Sequence, residues 1–262
     1  MGAIVEELKT LKTKIFADGA DFAAIVELSK NPLIKGFTTN PTLVRKAGVT
    51  DYEEFGRELL ATVRDRPVSL EVFADEFPEM ARQAREIAGW GANVNVKIPV
   101  TNTRRVFSGP LIRELSYAGI VLNVTAIMTL DQVRAVAACL CPSTPAFVSV
   151  FAGRIADTGV DPVPVMAHAV DILKPLPKAE LIWASPRESL NIFQANAIGC
   201  HVITVTGDIL KKLSLVGKAL DDYSLETVVG FRRDAVAAGY SIAGDAGAGD
   251  IAAADGAKRA RA

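Results

Sequence analysis

A lysine sits in the middle of Asn-Val-Asn-Val-Lys-Ile-Pro-Val-Thr, residues 93–101. Valines alternate with other residues at period two, the pattern of a β-strand. Asn93, Asn95 and Lys97 then share one face, and Val94, Val96 and Ile98 share the other. Free lysine, with a pKa of about 10.4, is almost wholly protonated at neutral pH, and an ammonium cannot attack a carbonyl. Burial disfavours that charge and lowers the pKa, while nearby carboxylates oppose the shift. A neutral lysine can form a Schiff base, whose iminium is an electron sink that stabilises a carbanion next to the former carbonyl. The plainer alternative is a lysine held by Asp18 or Glu71 in a buried ion pair.

The lysine has company. Short apolar, often β-branched runs occur at 14–20, 36–40, 68–74, 93–100, 119–127, 146–153, 180–185 and 200–207, and polar residues gather near their ends. Asp18, Asn40 and Glu71 belong to the first three runs and Lys97 to the fourth. Asn123 and Thr125 lie in the fifth, Ser149 in the sixth, and Ser185 and Arg187 in or after the seventh. The parity agrees within runs: Ser69 with Glu71, Asn95 with Lys97, Asn123 with Thr125. Any one of these is explained by a loop cap or a buried hydrogen bond. So many strand ends carrying one point to a common polar pocket.

Helical patterns separate the runs. Phe77, Met80, Ala84, Ile87 and Ala88 fall at helical spacing, with Gly89 or Gly91 to end the helix. Thr129 and Gln132 make a capping box ahead of Val133, Val136 and Leu140. Eight strand–helix units of this length predict an α/β protein, a single (β/α)8 TIM barrel, whose site lies at the C-terminal strand ends. A doubly wound open sheet is the second reading, but no Gly-x-Gly-x-x-Gly turn follows the first strand. The expected organisation is an N-terminal helical segment over 1–13, a barrel over 14–240 and a flexible Gly/Ala-rich tail over 241–262. In that tail Lys258, Arg259 and Arg261 suit an acidic partner less well than plain solvation.

The 262 residues are 50% hydrophobic and 23% charged, with net charge −1, so no electrostatic footprint for nucleic acid is present. The N-terminus lacks the apolar core of a signal peptide, and no run reaches the roughly 20 apolar residues of a membrane span. Three sparse cysteines, Cys139, Cys141 and Cys200, suit a reduced cytoplasm. His168 and His201 are far apart, which leaves little for a zinc site or a Ser-His-Asp arrangement.

The pieces Gly-Phe-Thr-Thr-Asn-Pro-Thr-Leu (36–43), Asn-Val-Lys-Ile-Pro-Val-Thr (95–101), 122–133, 148–159 and Trp-Ala-Ser-Pro-Arg-Glu-Ser (183–189) resemble, in order, those of the transaldolase family. The likeness runs from about Lys14 to Ile242. It implies a barrel that moves a dihydroxyacetone unit between sugars without cofactor or metal, with Lys97 as the Schiff-base lysine. It implies Asp18 as general acid/base, and Glu71 with Thr125 as holders of a catalytic water. Asn40, Asn123 and Ser149 resemble the groups that bind the dihydroxyacetone hydroxyls, with Phe151 near them. Arg154, Ser185 and Arg187 resemble a sugar-phosphate clamp. Related fructose 6-phosphate aldolases carry Gln in place of Glu71 and Tyr in place of Phe151, so both positions are of the transferase type. Val150 replaces the proline of the usual Ser-Pro-Phe, and Pro186 replaces a phenylalanine, which leaves the acceptor sugar open. The implied partners are phosphorylated sugars and further copies of the chain, with neither nucleic acid nor membrane, in the cytoplasm. The implied setting is the pentose phosphate pathway or a specialised sugar pathway. An aldolase that releases free dihydroxyacetone and a non-catalytic phosphosugar-binding barrel are the competing readings.

Overall fold

In the computed structural model, which describes residues 6–242, eight parallel strands close into a barrel in chain order. They are β1 Lys14–Asp18, β2 Ile34–Thr38, β3 Val68–Glu71, β4 Val94–Pro99, β5 Leu122–Ile127, β6 Ala146–Val150, β7 Ala179–Trp183 and β8 Val202–Thr206, with β8 pairing back to β1. The helices are α1 Glu6–Lys9, α2 Phe22–Ser29, α3 Pro41–Lys46, α4 Tyr52–Thr62, α5 Phe77–Ala88 and α6 Gly109–Tyr117. They continue with α7 Leu130–Ala137, α8 Ala152–Asp157, α9 Pro162–Leu173, α10 Leu190–Ala197, α11 Gly207–Lys212 and α12 Leu220–Ala237. The closed barrel excludes the open doubly wound sheet.

Local chemistry starts several helices, two of them directly after strands β1 and β2. Asp21, Asn40, Asp51 and Asp161 each accept a backbone N–H from the first turn of the helix that follows. Thr129 and Gln132 form the capping box expected of them. Gly89 caps α5, whose Met80, Ala84 and Ile87 are buried.

Strand parity sorts the barrel into two environments. Val68, Leu70, Val96, Ile98, Leu122, Val124 and Val148 point outward, where they pack with the helices in the main core. Inward-facing Phe16, Phe147, Ile182 and Val202 fill the lower barrel, the Phe16 and Phe147 rings lying 5.9 Å apart. Gly36 makes room for this plug: a Cβ there would come 2.6 Å from the Phe16 ring. Above the plug the lining turns polar, and that change of character places the site at the C-terminal strand ends.

Asn93 departs from expectation. It precedes β4, and its amide bonds the carbonyls of Val63 and Arg66, tying the α4–β3 connection to the bottom of the barrel rather than joining Lys97.

The chain divides into two compact units, Met1–Val216 and Gly217–Ala262. In the second, α12 buries none of its residues, and Leu220, Leu225, Val228, Val229 and Phe231 are exposed. The expected tail lies, from residue 243, outside the described residues. Among the described residues no helix is long and apolar enough to cross a membrane.

Candidate active site

Lys97 is 6% exposed, and its Nζ lies 3.0 Å from Glu71 Oε2 and 2.7 Å from the Thr39 carbonyl oxygen, to which it donates. Register explains the pairing: Glu71 on β3 sits directly beside Lys97 on β4, and Lys97 beside Asn123 on β5. The ion pair of the plainer alternative therefore exists, and it lines a pocket. That pocket is bounded by Asp18, Asn40, Lys97, Asn123, Thr125, Ser149, Phe151, Arg154, Ser185 and Arg187, together with Thr38, Ala184, Pro186, Thr204 and Thr206. Of the eleven site residues that the family resemblance implies, ten line this pocket and the eleventh, Glu71, is bonded to Lys97; Ser69, Asn93 and Asn95, which share the parity, do not line it.

Burial pushes the Asp18 carboxyl above the usual carboxylate range. Lys97 and the Thr38 hydroxyl pull it back, and the Glu71 charge adds to the rise. The Thr38 hydroxyl donates to Asp18 Oδ1 at 2.8 Å and lies 2.5 Å from the Thr204 hydroxyl. Thr38 has one proton, so while it serves Asp18 the Thr204 hydroxyl must donate to it. Neither threonine was singled out from the sequence, although each has the inward parity that could have found it.

Removing this largely desolvated acid should stabilise the fold. Because the folded pKa of Asp18 is raised, the folded state holds a proton that the unfolded chain releases nearer pH 4, and wild-type stability falls as pH rises through the folded pKa. Asp18→Asn is expected to melt with the wild type at low pH and above it at neutral pH, the gap widening between those limits. Calorimetry across pH checks this, and a variant less stable than wild type at neutral pH contradicts it.

On the opposite wall Ser149 donates to Asn123 Oδ1 at 2.7 Å, and Asn123 Nδ2 donates to Ser69 at 3.0 Å, fixing the amide's orientation. Thr125 Oγ1 and Asn95 Nδ2 are buried without a hydrogen bond to any described protein group. Thr125 is followed by Ala126 at φ 62°, where the β5–β6 register slips, so that Val124 and Ile127 both face the helices. The irregularity sits at the rim of the pocket, where such strain is commonly found.

The arginines occupy the far end. The Arg154 guanidinium lies 5.2 Å from the centre of the Phe151 ring, and Arg187 bonds Asp157 through Nε at 2.9 Å and through Nη2. Arg187 leaves Ser185, which holds φ 59° immediately before Pro186, a position that disfavours helical backbone. The Ser185 carbonyl crosses the bare Cα of Gly153 so closely that a Cβ there would lie 1.5 Å away. Val150, by contrast, is buried among the outward residues and does not line the pocket.

Among the described residues no three His, Cys, Asp or Glu side chains gather as a metal site. The chemistry on offer is that of a buried amine paired with Glu71 and sharing its pocket with Asp18, amides, hydroxyls and two guanidinium groups.

A family model described as Transaldolase/Fructose-6-phosphate aldolase matches residues 15–243. This chain belongs to that family. It is 36% identical over 201 residues to a Dehalococcoides mccartyi protein named "Probable transaldolase", covering 76% of this chain and 89% of that one. It is 34% identical over 230 residues to a Thermoanaerobacter protein of the same name, covering 87% of this chain and 100% of that one. Among solved structures, dihydrodipicolinate synthase from Rhodopseudomonas palustris aligns with a TM-score of 0.53 at 14% identity, covering 84% of this chain and 81% of that one, a likeness of fold alone.

Proposed function

We propose that this chain is a transaldolase that moves a dihydroxyacetone unit from a ketose phosphate to an aldose phosphate through a Schiff base on Lys97. The observation that carries the reading is the buried Lys97 amine, 3.0 Å from Glu71, in one pocket with Asp18 and two arginines. Lys97 passes a proton toward Glu71 and attacks the ketose carbonyl. The carbinolamine loses its hydroxyl as water, with Glu71 and the unpartnered Thr125 hydroxyl serving that water. Asp18 takes the proton of the C4 hydroxyl as the C3–C4 bond breaks, and the electron pair flows into the iminium to leave an enamine. The raised pKa of Asp18 suits a group that must both accept and return this proton. The aldose leaves, an acceptor aldehyde takes its place, and the steps reverse. Asn40, Asn123 and Ser149 hold the hydroxyls of the three-carbon unit. Arg154 and Arg187, with Ser185, bind the phosphate, for which a guanidinium fork is suited.

The leading donor and acceptor are sedoheptulose 7-phosphate and glyceraldehyde 3-phosphate, giving erythrose 4-phosphate and fructose 6-phosphate. The test is acceptor dependence. Fructose 6-phosphate is expected to be consumed with erythrose 4-phosphate present and to remain nearly untouched alone, products being read by mass. Rapid release of free dihydroxyacetone without acceptor favours the aldolase reading.

Phe151 supports transfer over release, because its ring lines the pocket and offers no proton to the enamine. Phe151→Tyr is expected to raise release of dihydroxyacetone relative to transfer by up to about 10²-fold, the lower end of what a placed acid contributes. An unchanged ratio shows that the ring is not beside the enamine carbon.

A further inference from the structure

We infer that Tyr52 is a positioning residue that holds Glu71 against Lys97, an inference that rests on the Schiff-base reading. Glu71 ends β3, and its backbone on the β2 side faces a gap in the sheet. The β2–β3 ladder runs through Phe37↔Val68 and Thr38↔Ser69, and Thr39 N–H donates to the Ser69 carbonyl at 3.2 Å. The next backbone donor along that line falls at position 41, which is Pro41 and has no N–H. The Thr39 carbonyl that would accept from Glu71 N–H takes the Lys97 ammonium instead.

Tyr52 fills both vacant ladder positions. Its hydroxyl accepts from Glu71 N–H at 2.8 Å and donates to the Glu71 carbonyl at 3.2 Å. One phenol thus replaces a missing pair of strand hydrogen bonds at the residue whose carboxylate contacts Lys97. The ring is itself held: it meets Phe73 edge-on at 4.4 Å and Trp90 at 5.9 Å, and it starts α4 directly after the Asp51 cap. Burial raises the phenol's pKa, so it keeps the proton it donates. Tyr52 does not line the pocket, and its hydroxyl bonds the Glu71 backbone, so it acts through Glu71.

The consequence is a division of labour within the loop after β2. Asn40 faces the pocket and caps α3, Pro41 ends the ladder, and Thr39 turns its carbonyl to the lysine. Freed from β2, the end of β3 needs an outside anchor, and α4 supplies it.

The experiment compares wild type with Tyr52→Phe, which removes only the hydroxyl. With fructose 6-phosphate and borohydride, the variant is expected to form its trapped adduct about ten- to a hundredfold more slowly, since small misplacement of a reacting group has effects of that size. KM is expected to change little, because no substrate-binding group is touched, and the melting curve should remain cooperative. The deciding measurement is a double-mutant cycle with Glu71→Gln: if Tyr52 acts through Glu71, the second substitution adds little to the first. Losses that multiply, or trapping as fast as wild type in Tyr52→Phe, overturn the inference. A wild type that traps no adduct at all overturns the Schiff-base reading and this inference with it.

Discussion

Lys97→Met is expected to abolish both turnover and the borohydride-trapped adduct while leaving a folded protein. Wild type treated with fructose 6-phosphate and borohydride should carry one three-carbon unit on Lys97, located by peptide mass. Methionine is close to lysine in volume and removes only the amine. Lys97→Arg should give no rescue, because a guanidinium stays charged and cannot attack a carbonyl.

The same change has a pH signature. Lys97 holds the Asp18 pKa down and pairs with Glu71. Without it, Glu71 loses its ion-pair partner and Asp18 its neighbouring cation, and breaking a fully buried pair costs about 3–5 kcal/mol, an upper bound for these partly buried groups. Asp18, its pKa raised still further, escapes that cost by keeping a proton. The variant's deficit should therefore be smallest at low pH and grow as pH rises through the folded pKa of Asp18. An adduct on Lys14 or Lys35, with Lys97→Met still active, would sink the assignment; Lys14 lies at the start of β1 and is paired with Glu180.

Gly153→Ala is expected to be the most damaging small substitution at the phosphate end. The added methyl would lie 1.5 Å from the Ser185 carbonyl oxygen and 3.2 Å from Arg187 Nε. Backbone stands in the way rather than a flexible side-chain tip, so the segment from Ser185 to Arg187 must move or α8 must shift. Overpacking of this kind costs about 1–3 kcal/mol or more. At about 2–4 °C per kcal/mol for a chain of this size, the melting temperature should fall by several degrees. Because Arg154 and Arg187 both hang on the displaced pieces, KM for a phosphorylated acceptor should rise well beyond any change for unphosphorylated glyceraldehyde. Equal effects on the two acceptors would show that this end of the pocket does not bind phosphate. A wild-type melting temperature would show that the close approach is relaxed in solution.

Much of the site is legible before any fold is known because strands alternate. Asp18, Ser69 with Glu71, Asn95 with Lys97, Asn123 with Thr125, and Ser149 announce themselves as inward residues by parity alone. The Thr129–Gln132 box and the α5 stripe are equally local, since each depends on residues within a turn or two. Parity also misleads at the ends: Asn93 has the right spacing, yet it lies before β4 and bonds the loop below. Periodicity says which face a residue takes once a strand exists, and it does not say where the strand begins.

What the sequence by itself determined is the order of eight strands, the face each polar residue takes and the kinship of the chain. Those follow from spacing along the backbone and from motifs read in order. Tertiary structure alone decided who touches whom across strands. Closure of the barrel sets β3 beside β4 in the register that gives Glu71 to Lys97, and returns β8 to β1 so that Thr204 reaches Thr38, which bonds Asp18. It also turned Arg187 onto Asp157, 30 residues away, and the Tyr52 hydroxyl onto Glu71, 19 away. Hydrogen bonds and ion pairs reach only about 3 Å. The sequence constrains such distances only through the stagger of strands and the packing of helices, and those are properties of the whole closed barrel.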